Sequence, residues 1–119
     1  MNQRPNEFKR ESRLLNAGDF RFVFDDAKRS SSRFLTVLAR PNGESQARLG
    51  LIVSKKSVKL AVGRNRVKRL TRESFRINSE LLQGLDVIVL SKRGINEKNN
   101  SEIFSDLMRH WKKLGQCKR

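Results

Sequence analysis

The chain has 119 residues, enough for one domain with a single modest core and too few for two. Lys and Arg number 27 against 12 Asp and Glu, and the formal charge of +15 would self-repel in a compact monomer unless a polyanion, most obviously nucleic acid, neutralises it. No apolar run approaches the roughly 20 residues of a spanning helix and no signal or lipidation motif is present, so a cytoplasmic protein without a membrane partner is expected. One Cys and one His exclude an internal disulfide and a zinc-stabilised finger.

In chain order, residues 1–13 are polar and basic without a sustained period and read as a mobile arm. Asn16 is a candidate N-cap with Asp19 in the first turn, and Phe20, Val23, Phe24 and Ala27 recur at helical spacing, which predicts a short amphipathic helix. Ser30 to Ser32 break it. Arg33 to Arg40 and Arg48 to Ser54 then read as strands joined across Pro41-Asn42-Gly43, an expected antiparallel hairpin.

A second helix is predicted from Val62 to about Asn78 by the apolar positions Val67, Leu70 and Ile77, with Phe75 at the edge of the stripe. Leu85 to Leu90 is too short for a typical helix and rich in β-branched residues, so it reads as a buried central strand with Asp86 at its entrance. After a loop containing Gly94, Asn99 and Glu102 form a candidate capping box. It opens a last helix with Ile103, Leu107, Met108, Trp111 and Leu114 on one face. The tail from Gly115 is basic and reads as loose. The order helix, strand, strand, helix, strand, helix gives an α/β (α+β) single-domain, two-layer sandwich: a small central sheet covered by helices, spanning residues 1–119.

The second helix carries the chemistry. At 100° per residue, Asn65, Lys68, Arg69, Arg72 and Arg76 fall within an arc roughly 100° wide, opposite Val67, Leu70 and Ser74. Lys68, Arg72 and Arg76 are like-charge neighbours at i, i+4, i+8, each pair weakening the isolated helix by about 0.2–0.5 kcal/mol, and Glu73 relieves only part of this, through Arg69. A solvated charged face is the ordinary reading of such a run. Four cations in one arc with a single acid nearby favour a phosphate-binding face, and the planar guanidinium suits bidentate phosphate contacts and stacking on bases.

The segment Gly63-Arg64-Asn65-Arg66-Val67-Lys68-Arg69-Leu70-Thr71-Arg72-Glu73-Ser74-Phe75-Arg76 resembles the signature of the bacterial ribonuclease P protein family. Asp19-Phe20-Arg21-Phe22-Val23-Phe24 is similar to that family's first helix, and Gly50-Leu51-Ile52-Val53-Ser54-Lys55-Lys56 to its strand leading toward the basic helix. The resemblance implies a sandwich whose strand, basic helix, strand unit crosses over left-handed, whereas about 98% of parallel crossovers are right-handed. It also implies a non-catalytic protein subunit, monomeric and one per RNA, that binds a catalytic RNA and the 5′ leader of precursor tRNA while the RNA cuts with Mg2+.

Carried over by resemblance, Arg64, Asn65, Arg66, Lys68, Arg69 and Arg72 would contact the catalytic RNA or help organise metal near it, with Arg76 on the same arc. Phe20 and Phe24 would line the leader cleft, where aromatic rings accept any base at about 1–3 kcal/mol per stack. A Phe on an apolar stripe equally packs a helix onto its sheet, and both roles stay open. Lys55 and Lys56 would extend the phosphate track, and Ser54 would hydrogen-bond backbone oxygens. Where some family members place a Tyr on the first long strand, this chain has no Tyr and offers Val37.

A self-sufficient nuclease needs an acid and base pair or a carboxylate cluster holding metal. His110 is expected alone on the solvent side of the last helix, and adjacent Asp25 and Asp26 point about 100° apart. Cys117 lacks a partner His, and Trp111 reads as core. A structural, ribosomal-type RNA-binding protein is the alternative, sharing the basic arms and mixed core.

Overall fold

The computed structural model describes Arg13 and residues 16–116. The expected arm and basic tail, Cys117 included, otherwise lie outside the described residues. Three helices, α1 (Ala17–Asp25), α2 (Ala61–Ile77) and α3 (Asn100–Gly115), accompany four strands, β1 (Lys28–Ser31), β2 (Leu35–Pro41), β3 (Arg48–Ile52) and β4 (Leu85–Ser91), in one sheet of order β1-β2-β4-β3. This is the mixed α+β sandwich expected from the sequence. Gly115 belongs to α3: its backbone packs so closely on Leu81 that an added Cβ would stand 2.9 Å from the Leu81 carbonyl oxygen.

Strand β4 explains the sheet order. Its run Leu-Asp-Val-Ile-Val-Leu-Ser is buried on both faces over Leu85 to Val89, and only a central position covers both. It therefore inserts between β2, which it meets antiparallel, and β3, which it meets parallel. The expected hairpin between β2 and β3 does not form. Residues 42–47 instead span the inserted strand, with the Asn42 N–H donating to the Gly84 carbonyl at 2.8 Å. The antiparallel neighbour of β2 on its free side is β1, which pairs Lys28 with Ala39 through Ser31 with Thr36. Strand β1, Lys-Arg-Ser-Ser, has no apolar residue to announce it, and Ser30 and Ser31, read as breakers, lie within it.

Strand alternation divides the core. Leu35, Val37, Ala39, Leu49, Leu85, Val87 and Val89 join α2 and α3 in the larger cluster. Leu38, Ile52, Ile88 and Leu90 face the other way and meet Phe20, Phe22 and Val23 of α1. Trp111 holds α3 to α2 by donating from Nε1 to Ser74 Oγ at 2.9 Å and by an edge contact with Phe75, ring centroids 6.0 Å apart. Phe75 is accordingly buried core. Ile77, expected on the same stripe, is 57% exposed because α2 ends there and the chain turns away through Asn78. The capping box expected at Asn99 and Glu102 forms, and Asn16, expected as an N-cap, closes a second one with Asp19.

Candidate nucleic-acid interface

Helix α2 turns Gly63, Val67, Leu70, Thr71, Ser74 and Phe75 inward. Gly63 packs closely on its neighbours: a Cβ there would lie 2.8 Å from Val58 Cγ1 and 2.9 Å from Asn96 Oδ1, so one of them would have to shift. With one face fixed in this way, the opposite face presents Asn65, Lys68, Arg69 and Arg72. The helix has no acidic residue in its first turn, so no carboxylate of its own offsets the positive end of its dipole there.

Glu73 is the one acid of α2, and it binds Arg76, with Arg76 Nε donating to Glu73 Oε1 at 2.8 Å, in place of the expected Arg69. Helical side chains lean toward the N-terminus, so Arg76 reaches back over Glu73 while Arg69 leans away from it. Arg64 and Arg66 lie on opposite flanks of the helix and serve the fold as well. Arg64 Nη1 donates to the carbonyls of Val58 at 3.1 Å and Lys59 at 2.7 Å. Arg66 donates to Asn100 Oδ1 at 3.1 Å, to the Asn96 carbonyl at 3.3 Å and to the Lys98 carbonyl.

Arg13 joins this face from outside the helix. It bridges in parallel to Leu49 at the free edge of β3, and with Arg69, Arg72, Glu73 and Arg76 it lines a shallow open hollow. Burial and, secondarily, the Arg13 charge push the Arg72 pKa below its usual value. The guanidinium nonetheless stays charged.

On the far side of the sheet, Phe20 and Phe24 stand at i and i+4 along one edge of α1, and they differ in burial. Phe20 is half-buried against the Val23 and Ile88 cluster, whereas Phe24 is 48% exposed. Leu38, not Val37, is the β2 residue facing α1; Val37 is fully buried on the opposite face. Period 2 reverses the two neighbours. Arg40, one further step along that face, lies 3.8 Å over the Phe22 ring and donates to the Phe22 carbonyl at 2.6 Å. At the other end Lys92 Nζ donates to Ser31 Oγ at 2.7 Å. Strand alternation carried a signal for Thr36 and Arg40 on this face, but no pattern announced Ser31 or Lys92.

Ser54, Lys55 and Lys56 are exposed in the turn after β3. The Ser54 hydroxyl already binds Ser57, accepting from its N–H and donating to its Oγ, both at 3.2 Å, so its first role is to shape that turn.

His110 is not on the solvent side of α3. It is 3% exposed, with Nδ1 2.7 Å from Ser30 Oγ and Nε2 3.1 Å from Ser32 Oγ, while Ser32 Oγ donates to Asp106 Oδ2 at 2.6 Å. Hydroxyl, imidazole and carboxylate sit together, yet Ser30, His110 and Asp106 are all buried, so the cluster fastens α3 to the β1–β2 turn instead of meeting a phosphate. The sequence offered no signal, because these serines lie about 80 residues from the histidine.

Among the described residues no group of three or more His, Cys, Asp or Glu side chains is placed to hold a metal, and no helix is long and apolar enough to cross a membrane.

Known proteins resemble this chain in sequence and in fold. Residues 8–115 match the family model described as Ribonuclease P. Ribonuclease P protein components of Pseudomonas putida and Azotobacter vinelandii are 45% and 44% identical over 113 residues, covering 94% of this chain and 85% and 87% of theirs. A ribonuclease P protein of Thermotoga maritima superposes with a TM-score of 0.76 at 30% identity over 85% of this chain and 96% of its own. A Staphylococcus aureus ribonuclease P protein mutant, described as defective in mRNA degradation, gives 0.79 at 26% identity over 89% of each. These likenesses support that family and not the ribosomal-type alternative. The chain belongs to the ribonuclease P protein family.

Proposed function

We propose that the chain is the non-catalytic protein subunit of a ribonuclease P particle, binding the catalytic RNA through α2 and the 5′ leader of precursor tRNA through α1 and the sheet. The observation that carries this reading is the outer face of α2, where Lys68, Arg69 and Arg72 stand with Asn65, and Arg13 adds a further cation. Such a face gains most from a partner with closely spaced phosphates. Arg64 and Arg66 hold the helix in place and offer their remaining N–H groups at its flanks, and Arg76 extends the face beyond its pairing with Glu73.

On the other side, the exposed ring of Phe24 beside half-buried Phe20 suits stacking without sequence preference, with Lys55 and Lys56 extending the phosphate track. Magnesium, on this reading, is held mainly by the RNA. The protein's contribution is charge. It screens repulsion between catalytic RNA and substrate, so that less magnesium is needed, and it lengthens the residence of precursor over mature tRNA. One protein per RNA and a cytoplasmic setting complete the proposal.

The test is precursor-tRNA cleavage at low magnesium with catalytic RNA alone, protein alone, and both. Cleavage recovered only by the combination is expected. Cleavage by protein alone would make the chain a nuclease in its own right, and no gain from adding it would remove the assisting role.

A further inference from the structure

The most exposed large apolar side chains described stand two residues apart at the start of α2: Leu60, 68% exposed, and Val62, 73% exposed. Isolated exposed apolar residues are ordinary. This pair differs in how it is held and in what surrounds it. The backbone beneath is clamped, since Arg64 ties the Val58 and Lys59 carbonyls to the first turn of α2. Val58 itself is 2% exposed, and Gly63 packs closely against it. The two side chains are therefore presented by a rigid frame, which lowers the entropic cost of binding.

Their surroundings are cationic. Val62 precedes Asn65 and Arg69 at i+3 and i+7, so it heads the row of phosphate-binding side chains. No Asp or Glu occurs between Glu44 and Glu73, a span rich in Lys and Arg. A partner seated on the pair must bring negative charge around an apolar contact. Duplex RNA shows a side chain its phosphates and the shallow minor groove, whereas an unpaired nucleotide offers the flat apolar face of its base beside its own phosphate.

Resting on the reading of α2 as the catalytic-RNA interface, we propose that Leu60 and Val62 form an apolar seat for an unpaired nucleotide of that RNA. The helix then recognises an irregular, looped element and not merely a density of phosphates. The phosphates set affinity through the cations, and the seat sets register along the RNA.

The test uses the full chain and the full-length catalytic RNA, with binding measured over a series of salt concentrations. Leu60→Gln with Val62→Gln should weaken binding about tenfold at every salt concentration, leaving the slope of log affinity against log salt parallel to wild type, because every cation still meets its phosphate. Leu60→Met with Val62→Ile should restore it. Chemical probing of nucleotide flexibility should show an unpaired nucleotide protected by wild type and released by the Gln pair. Unchanged affinity, a changed slope, or protection confined to a duplex would overturn the seat. So would a loss of precursor-tRNA binding without loss of catalytic-RNA binding. Wild type failing to bind the catalytic RNA at all would instead remove the reading of α2 beneath it.

Discussion

Arg48 grips Asp86 with both arms of its guanidinium, Nε to Oδ1 at 2.8 Å and Nη2 to Oδ2 at 2.6 Å, across the parallel register of β3 and β4. The Asp86 side chain has no exposed surface and takes a further hydrogen bond from Asn42 Nδ2 at 2.8 Å. The carboxylate thus ties together both strands and the loop that crosses β4. Replacing Arg48 with Ala strands a buried charge, and the loss should be about 3 kcal/mol, read as a lowered urea midpoint at unchanged m-value. A shift below a tenth of that would mean that Asn42 and solvent suffice.

Gly63→Ala should destabilise the fold by about 1–3 kcal/mol, because the new methyl meets Val58 and Asn96 at under 3 Å. The usual helical gain of Ala over Gly, about 1 kcal/mol, is outweighed by this overlap. Thermal unfolding decides the sign. A raised midpoint would contradict the close approach.

His110 gives the stability a pH dependence. Burial lowers its pKa from the usual 6.5; the Asp106 carboxylate opposes that shift, and the Arg109 and Lys113 charges reinforce it. Ser30 and Ser32, which face the ring from the β1–β2 side, carry no charge. With the folded pKa below the unfolded one, the unfolded chain binds more protons in the interval between them. The contribution is therefore complete above about pH 6.5 and falls as the pH drops from there through the folded value. Denaturant midpoints measured from pH 7.5 down to 5 should decline in wild type and decline less in His110→Asn. Parallel profiles would assign the decline to carboxylates.

Phe20 and Phe24 should separate. Phe24→Ala should leave the thermal midpoint nearly unchanged and weaken precursor tRNA but not mature tRNA, whereas Phe20→Ala should also cost stability, by about 1–3 kcal/mol, because its ring packs on Val23 and Ile88. Equal losses for precursor and mature tRNA with Phe24→Ala would take that ring out of the leader cleft.

What the sequence made legible followed local rules. The Asn16 N-cap, the Asn99 and Glu102 capping box, the amphipathic α3 and the doubly buried β4 are written in neighbouring residues, and the structure repeats them within a residue or two. The cationic arc of α2 was legible for the same reason. The partner of β2 was not. Turn residues say that two strands are linked, but not whether a third slips between them, and β4 does so because it alone is apolar on both faces over most of its length. The flanking roles of Arg64 and Arg66, and the burial of His110, depend on contacts between segments distant in sequence. Helical spacing groups residues of one helix and is silent on what packs beside them.

The most direct test of the central claim is the salt dependence of catalytic-RNA binding by the Lys68→Ala, Arg69→Ala, Arg72→Ala triple variant. These three side chains crown the outer face of α2, away from its buried side. Binding should weaken, and the slope of log affinity against log salt should flatten by about two to three units, one for each phosphate no longer neutralised, with the fold unchanged. A slope identical to wild type would show that the RNA lies elsewhere and would contradict the account.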